Sequence, residues 1–234
     1  MELNKIRRLL RNYANPEKAK ILQSFFKTAP GEYGQGDIFM GVCVPQIRSL
    51  VQTDEALELS DINVLLKSKF HEERLLALLI LVKRYQNSKE SNKKKIFRFY
   101  LKSKKYINNW DLVDLSAGCI VGDFLFKKDK QILFKLTRSH NLWERRIAIC
   151  STYYFIKNGH FKTTLDIAAI LLKDKEDLIH KALGWMLREV GKRDLIVQER
   201  FLKRYYGQMP RTMLRYAIEK FPELKRQAYL KGKF

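Results

Sequence analysis

The sequence predicts an all-α protein, a solenoid of antiparallel helix pairs with a concave basic groove. Three observations lead there. The prolines stand at 16, 30, 45, 210 and 222, so Gln46 to Met209 holds no residue that must interrupt a helix. No Asn-Gly or Asp-Gly pair sits between alternating apolar runs, so hairpin signals are missing. Apolar residues recur at helical spacing, with short polar breaks, along nearly all of the 234 residues.

Helices are expected near 3–13, 16–28, 44–53, 60–69, 71–86, 89–105, 109–126, 128–138, 141–158, 161–173, 176–192, 194–206, 210–220 and 222–231. Pro16, Pro45 and Pro222 suit first turns, where the missing N–H costs no bond. Between the second and third helices, Ala29 to Gly41 carries four of the eleven glycines and reads as a flexible connector. Its Gly31-Glu32-Tyr33-Gly34-Gln35-Gly36 run lacks the closing Gly-Lys-Ser/Thr of a phosphate-binding loop, and no strand precedes it. Ala77, Ala117, Ala148 and Ala182 recur at intervals of 40, 31 and 34 residues, each inside a strong helix. That period describes stacked helix pairs of the HEAT or armadillo kind. One such domain, 1–234, is expected.

The charge names a partner class. Lys and Arg number 46 against 25 Asp and Glu, a formal net charge of +21, which predicts a polyanionic partner, either nucleic acid or an anionic membrane surface. A membrane is disfavoured, because the longest apolar run, Leu75 to Val82, is far short of the ~20 residues of a span. The N-terminus lacks a signal-peptide pattern, and a cytoplasmic protein is expected. Cys43, Cys119 and Cys150 are expected as free thiols. His71, His140, His160 and His180 form no ligand motif, so neither metal nor cofactor is expected.

Candidate chemistry sits in three helices. In 109–126, Asn108 or Asn109 can cap, and Asp111 in the first turn offsets the helix dipole. Asp114 lies beyond that turn, on an arc with Trp110, Ala117, Gly118, Val121 and Leu125, and the opposite arc is apolar too. A carboxylate there costs several kcal/mol unless paired or used, on the order of the penalty for burying a charge. Two explanations stand side by side: an ion pair with an arginine such as Arg146, or a functional role. In 176–192, Lys181, Trp185, Arg188 and Lys192 oppose an apolar arc of Ile179, Leu183, Met186, Leu187 and Val190. An aromatic among cations suits nucleic-acid contact. In 141–158, Arg146, Tyr153 and Lys157 align similarly, whereas Arg145 points toward Ile149 and Ile156 and reads as structural. Basic stretches at 93–105 and 203–226 extend the positive surface, whose affinity for a duplex would fall steeply with salt.

Asn109-Trp110-Asp111-Leu112-Val113-Asp114, Trp143-Glu144-Arg145-Arg146-Ile147-Ala148 and Lys181-Ala182-Leu183-Gly184-Trp185-Met186-Leu187-Arg188-Glu189 follow one another at suitable separations. Together with Asn15 to Ala19 and Met40 to Arg48, they resemble the AlkD-like DNA alkylation repair enzymes, built from HEAT-like repeats. The resemblance implies a glycosylase that removes N3- and N7-alkylated purines from duplex DNA without flipping the base into a pocket. It implies Asp114 as the catalytic carboxylate, Trp110 and Trp185 as lesion- and deoxyribose-facing rings, and Arg146 as a backbone contact. Lys157, Lys181, Arg188 and Lys192 are the further DNA-binding candidates from the helix faces. Phe25 stands where the family has a tyrosine, and the 29–41 loop is longer than the family's turn. The competing expectation is a non-catalytic helical-repeat binder of DNA or RNA, which explains the charge but not the carboxylate. A monomer is expected in either case.

Overall fold

The computed structural model describes residues 3–52 and 57–233; position 53, the expected end of the third helix, lies outside the described residues, as do Met1 and Glu2. Among the described residues no strand forms, and extended pairing is confined to one isolated bridge between Ile38 and Phe70. The all-α class expected from the sequence is what is observed. The chain divides into two compact units, Met1–Ser116 and Ala117–Phe234.

The first unit contains α1 (Leu3–Arg11), α2 (Pro16–Phe25), α3 (Val44–Gln52), α4 (Leu59–Leu66), α5 (His71–Gln86), α6 (Glu90–Lys102), a 3₁₀ turn (Lys104–Tyr106) and α7 (Trp110–Asp114). Asn15 caps α2, its Oδ1 accepting from the Lys18 N–H at 3.0 Å, and Pro16 follows at the first helical position. α5 packs on α3, α4 and α6. Its Leu75–Val82 run is apolar all round, and Leu76, Ala77, Leu78 and Leu81 are fully buried.

The four polar residues that open α5 are buried as well, and each has a partner. Glu72 accepts from the backbone N–H groups of Met40, Gly41 and Val42 at 3.0, 2.8 and 3.2 Å. Glu73 pairs with Arg7 at 3.0 Å, and Arg74 with Asp37 at 2.6 Å. The 29–41 segment is therefore a loop, but the flexible connector expected from its glycines is corrected. Its end is fixed by the Glu72 carboxylate, by Asp37 and by buried Phe39. Gly41 is required there: its φ is +81°, and a Cβ would lie 2.7 Å from the Ala19 nitrogen.

The second unit begins with a π-turn (Gly118–Gly122), followed by α8 (Asp123–Leu125), α9 (Gln131–Thr137), α10 (Leu142–Ser151), α11 (Tyr153–Lys157), α12 (Lys162–Leu171), α13 (Asp177–Gly191), α14 (Leu195–Tyr205), α15 (Arg211–Ala217) and α16 (Glu223–Lys231). α13 packs on α10, α12, α14 and α15. Gly184 sets the α13–α15 distance, because a Cβ there would stand 2.5 Å from the Met213 carbonyl oxygen and closer still to the Tyr216 Cβ. Gly184→Ala is expected to push the two helices apart and to cost about 1–3 kcal/mol, typical of overpacking. A fall in the thermal midpoint measured by circular dichroism checks this.

Two expected long helices are broken, and hydroxyl groups mark both breaks. The 109–126 helix stops at Asp114. The Ser116 hydroxyl donates to the Leu112 carbonyl at 2.5 Å and sits 2.9 Å from the Tyr100 hydroxyl, while the Ser116 N–H turns to Val113. The chain resumes as a π-turn, so the arc that placed Asp114 with Gly118, Val121 and Leu125 at 100° per residue does not persist. In 141–158, Ser151 and Thr152 donate back to Ile147 and Ile149 at 2.6 and 2.7 Å, separating α10 from α11.

Candidate functional site

α7 is a five-residue helix that carries Trp110 at its first position and Asp114 at its last, four apart on one face. Asn109 is its cap, with Oδ1 accepting from the Trp110 N–H at 2.8 Å. Asp114 and Trp110 are half-buried, as a residue that must meet both protein and solvent requires. The Trp110 indole lies flat on Phe26, 5.0 Å between centroids and 7° between planes, and meets the edge of Phe25 at 6.0 Å. Phe25 itself is 61% exposed and stays at the surface beside Trp110.

Asp111 does more than offset the helix dipole, which corrects its first reading. It is buried, and its Oδ1 accepts from the Leu112 N–H at 2.8 Å. Its Oδ2 lies 2.8 Å from His71 Nε2. On the other side of the imidazole, Nδ1 lies 3.1 Å from Asp37 Oδ2. Asp37 also accepts from Arg74 Nη2 at 2.6 Å and Asn109 Nδ2 at 3.1 Å. A carboxylate only accepts, so a ring nitrogen on each side must carry a proton and the imidazole is an imidazolium. Burial works against that charge, but the Asp111 carboxylate, its hydrogen bond and that of Asp37 override it and hold His71 at about 9. Burial likewise works to raise Asp37, and the bonds from His71, Arg74 and Asn109 bring it below the usual carboxylate value. An apolar cavity of about 370 Å³ adjoins the cluster, bounded by Phe26, Phe39, Val42, Ile47, His71 and Asp111.

The sequence does not announce this network, since His71 belongs to no ligand motif and its partners lie 34 and 40 positions away. The available signal was His71-Glu72-Glu73-Arg74, four polar residues opening the most apolar helix of the chain. A run of that kind inside a core demands partners.

In the second unit, Trp185 is half-buried on α13 and leans on Tyr153 from α11, 5.6 Å between ring centroids. Lys157, exposed, holds its ammonium 5.9 Å from the Tyr153 ring. The structure thus joins three of the aligned residues. The cations beside Trp185 are engaged: Lys181 with Asp177 at 2.8 Å, Lys192 with Glu189 at 2.6 Å, and Arg188 with Glu219. Glu189 is buried, and although burial works to raise its carboxyl, the bonds from Lys192 and Arg193 hold it below the ordinary range. Arg145 pairs with Asp174 at 2.6 Å, as a structural residue should. Arg146 does not stand on a solvent face with Tyr153 and Lys157, as its spacing suggested. It is 4% exposed, and its Nη1 donates to the Leu178 carbonyl across to α13. A turn at Thr152 separates α10, which carries Arg146, from α11, which carries Tyr153 and Lys157.

No helix among the described residues is long and apolar enough to cross a membrane. Comparison with solved structures finds the same fold in proteins of low sequence identity. The predicted DNA alkylation repair enzyme of Enterococcus faecalis superposes with a TM-score of 0.68 at 17% identity, covering 90% of this chain and 97% of that one. AlkD2 of Streptococcus mutans gives 0.53 at 18% identity, covering 94% and 99%. The smu.31 protein of Streptococcus mutans UA159 gives 0.52 at 19%, covering 94% and 98%. No curated protein sequence matches the chain. The family model described as DNA alkylation repair enzyme matches residues 6–221, a span that takes in α7 with Trp110 and Asp114 as well as the Gly184-Trp185 segment of α13. With nearly the whole chain matched, the protein belongs to the DNA alkylation repair enzyme family.

Proposed function

We propose that the protein is a DNA glycosylase that hydrolyses the N-glycosidic bond of cationic N3- and N7-alkylated purines in duplex DNA. The observation that carries this reading is the half-buried Asp114 at the end of α7, on the face that also bears Trp110. Alkylation at N3 or N7 leaves a positive charge on the purine, so the base departs with the bonding electrons as a neutral molecule and needs no general acid. One carboxylate can then serve where glycoside hydrolases use two. Asp114 stabilises the oxocarbenium-like sugar and orients the water that adds to its C1′, the water's second proton passing to solvent. Trp110 faces the deoxyribose and the lesion, its indole backed by Phe26 so that it cannot swing away.

Trp185, supported by Tyr153, is read as a further lesion- and deoxyribose-facing ring. Lys157, Lys181, Arg188 and Lys192 meet phosphates, the last three by exchanging their carboxylate partners for DNA. Arg146 contributes through the Leu178 carbonyl that it holds, and so through the seating of α13. In this reading residues 1–234 work as one HEAT-like repeat domain, a cytoplasmic monomer that needs no cofactor.

The test is to incubate the protein with methylated duplex and measure free 7-methylguanine and 3-methyladenine by mass spectrometry. Release above the protein-free rate is expected. Tight, salt-sensitive binding without release under single-turnover conditions would make the protein a non-catalytic helical-repeat binder instead.

A further inference from the structure

We infer that His71 is a positioning residue for base release: bridging Asp37 and Asp111, it sets the orientation of α7 and hence the placement of Trp110 and Asp114. The inference rests on the glycosylase reading of Asp114.

A helix of five residues has almost no stability of its own, so tertiary contacts must orient α7. Two routes lead from the His71 ring to it. One is polar: Nε2 to the Asp111 carboxylate at 2.8 Å, three residues before Asp114. The other is aromatic: the ring stacks on Phe39 at 4.5 Å and 22° and contacts Phe26 at 5.0 Å, and Phe26 lies flat beneath Trp110. Both routes meet the first turn of α7, at Trp110 and Asp111, so the direction in which the helix leads to Asp114 is referred to one imidazolium. The same ring holds Asp37 of the 29–41 loop, and Asp37 in turn binds Asn109, the cap of α7.

Charge balance explains why the ring must be protonated. Asp37 and Asp111 set two negative charges against the ring, answered by Arg74 and His71, while the buried Glu72 carboxylate is taken up by the Met40, Gly41 and Val42 N–H groups. A neutral His71 would leave one carboxylate charge uncompensated and one ring nitrogen unable to donate. The charged groups around the ring are Asp37 from the loop, Asp111 from α7, Arg74 and Glu72 from α5, and Lys18 from α2 across the adjoining cavity. Deprotonation should loosen α7 without unfolding the large apolar core of α5.

The experiment compares wild type with His71→Gln, which keeps one hydrogen bond but no charge. Single-turnover release of 7-methylguanine is measured from pH 6 to 10, corrected for protein-free release, together with duplex affinity. The wild-type rate is expected to fall with an alkaline limb near pH 9, the value at which His71 is held. His71→Gln is expected to lose about 10- to 100-fold in rate, the scale of a small misplacement of a reacting group, with duplex affinity unchanged and the limb absent. Asp111→Asn, which removes the stronger counter-charge, is expected to move the limb to lower pH and serves if His71→Gln does not fold. Nitrogen-15 spectra of the imidazoles are expected to show His71 doubly protonated at neutral pH. The inference is overturned if His71→Gln folds and releases base at the wild-type rate with the wild-type pH profile. A limb that Asp111→Asn leaves in place, or a His71 neutral at pH 7, overturns it too. A wild type that releases no base at any pH removes the glycosylase reading itself, and this inference with it.

Discussion

Asp114→Asn is expected to slow single-turnover release of 7-methylguanine by about 100- to 1000-fold, the scale at which removal of one preorganised electrostatic group is felt in a transition state. Asparagine has nearly the same shape and is uncharged, so it can no longer stabilise the positive sugar. Asp114 ends its helix and is half-buried, so the variant should keep its helical circular dichroism and its duplex affinity. The informative control lies three residues earlier. Asp111 is buried against His71, so Asp111→Asn should lower stability as well as shift the pH profile. Two acids in one turn are thereby predicted to fail in different ways. Equal release by wild type and Asp114→Asn would sink the catalytic assignment.

The second large effect is the pH dependence of stability in the first unit. The folded state holds His71 at about 9 against an ordinary 6.5, so folding takes up a proton over that interval. The contribution is complete below pH 6.5 and is lost as pH rises through 9. A difference of that size corresponds to on the order of 3 kcal/mol. Asp37 acts at the other end: its carboxyl is held below 3.8, so its contribution is present above that value and is lost as pH falls below it. Urea midpoints are therefore expected to plateau between about pH 4 and 6.5 and to decline toward pH 9, as the displaced groups require. His71→Leu should abolish the alkaline decline and lower the plateau by about 3–5 kcal/mol, because removing one partner strands buried carboxylate charge. A midpoint that rises between pH 6.5 and 9 in the wild type would contradict the imidazolium.

The two units were unequally legible. The α5 run, Pro16 at the first turn of α2 and the apolar arc of α13 are legible in the sequence, because helix periodicity and first-turn preferences are local. Trp185 was singled out from its place among cations, and it does stand half-buried with Tyr153 and Lys157 nearby. The α7 segment was harder. A wheel drawn over 109–126 assumes unbroken rotation, whereas Ser116, bonded to Leu112 and Tyr100, ends the helix and a π-turn changes its period. Arg146 is likewise illegible from spacing: the Ser151 and Thr152 hydroxyls mark a helix division between it and Tyr153, and its guanidinium is buried against the Leu178 carbonyl.

By itself, the sequence determined the all-α class, the +21 charge, the family signature and the placing of Trp110 and Asp114 four residues apart. These depend on composition, on local periodicity and on short motifs, which a chain carries wherever it folds. Only the tertiary structure decided that Asp111 is buried against His71 while Asp114 is half-buried. Asp111 meets a histidine 40 positions away, and that histidine meets an aspartate 34 positions away in a glycine-rich loop. Such pairings are set by how α5, the loop and α7 come together, because buried charges must find partners in space rather than in sequence.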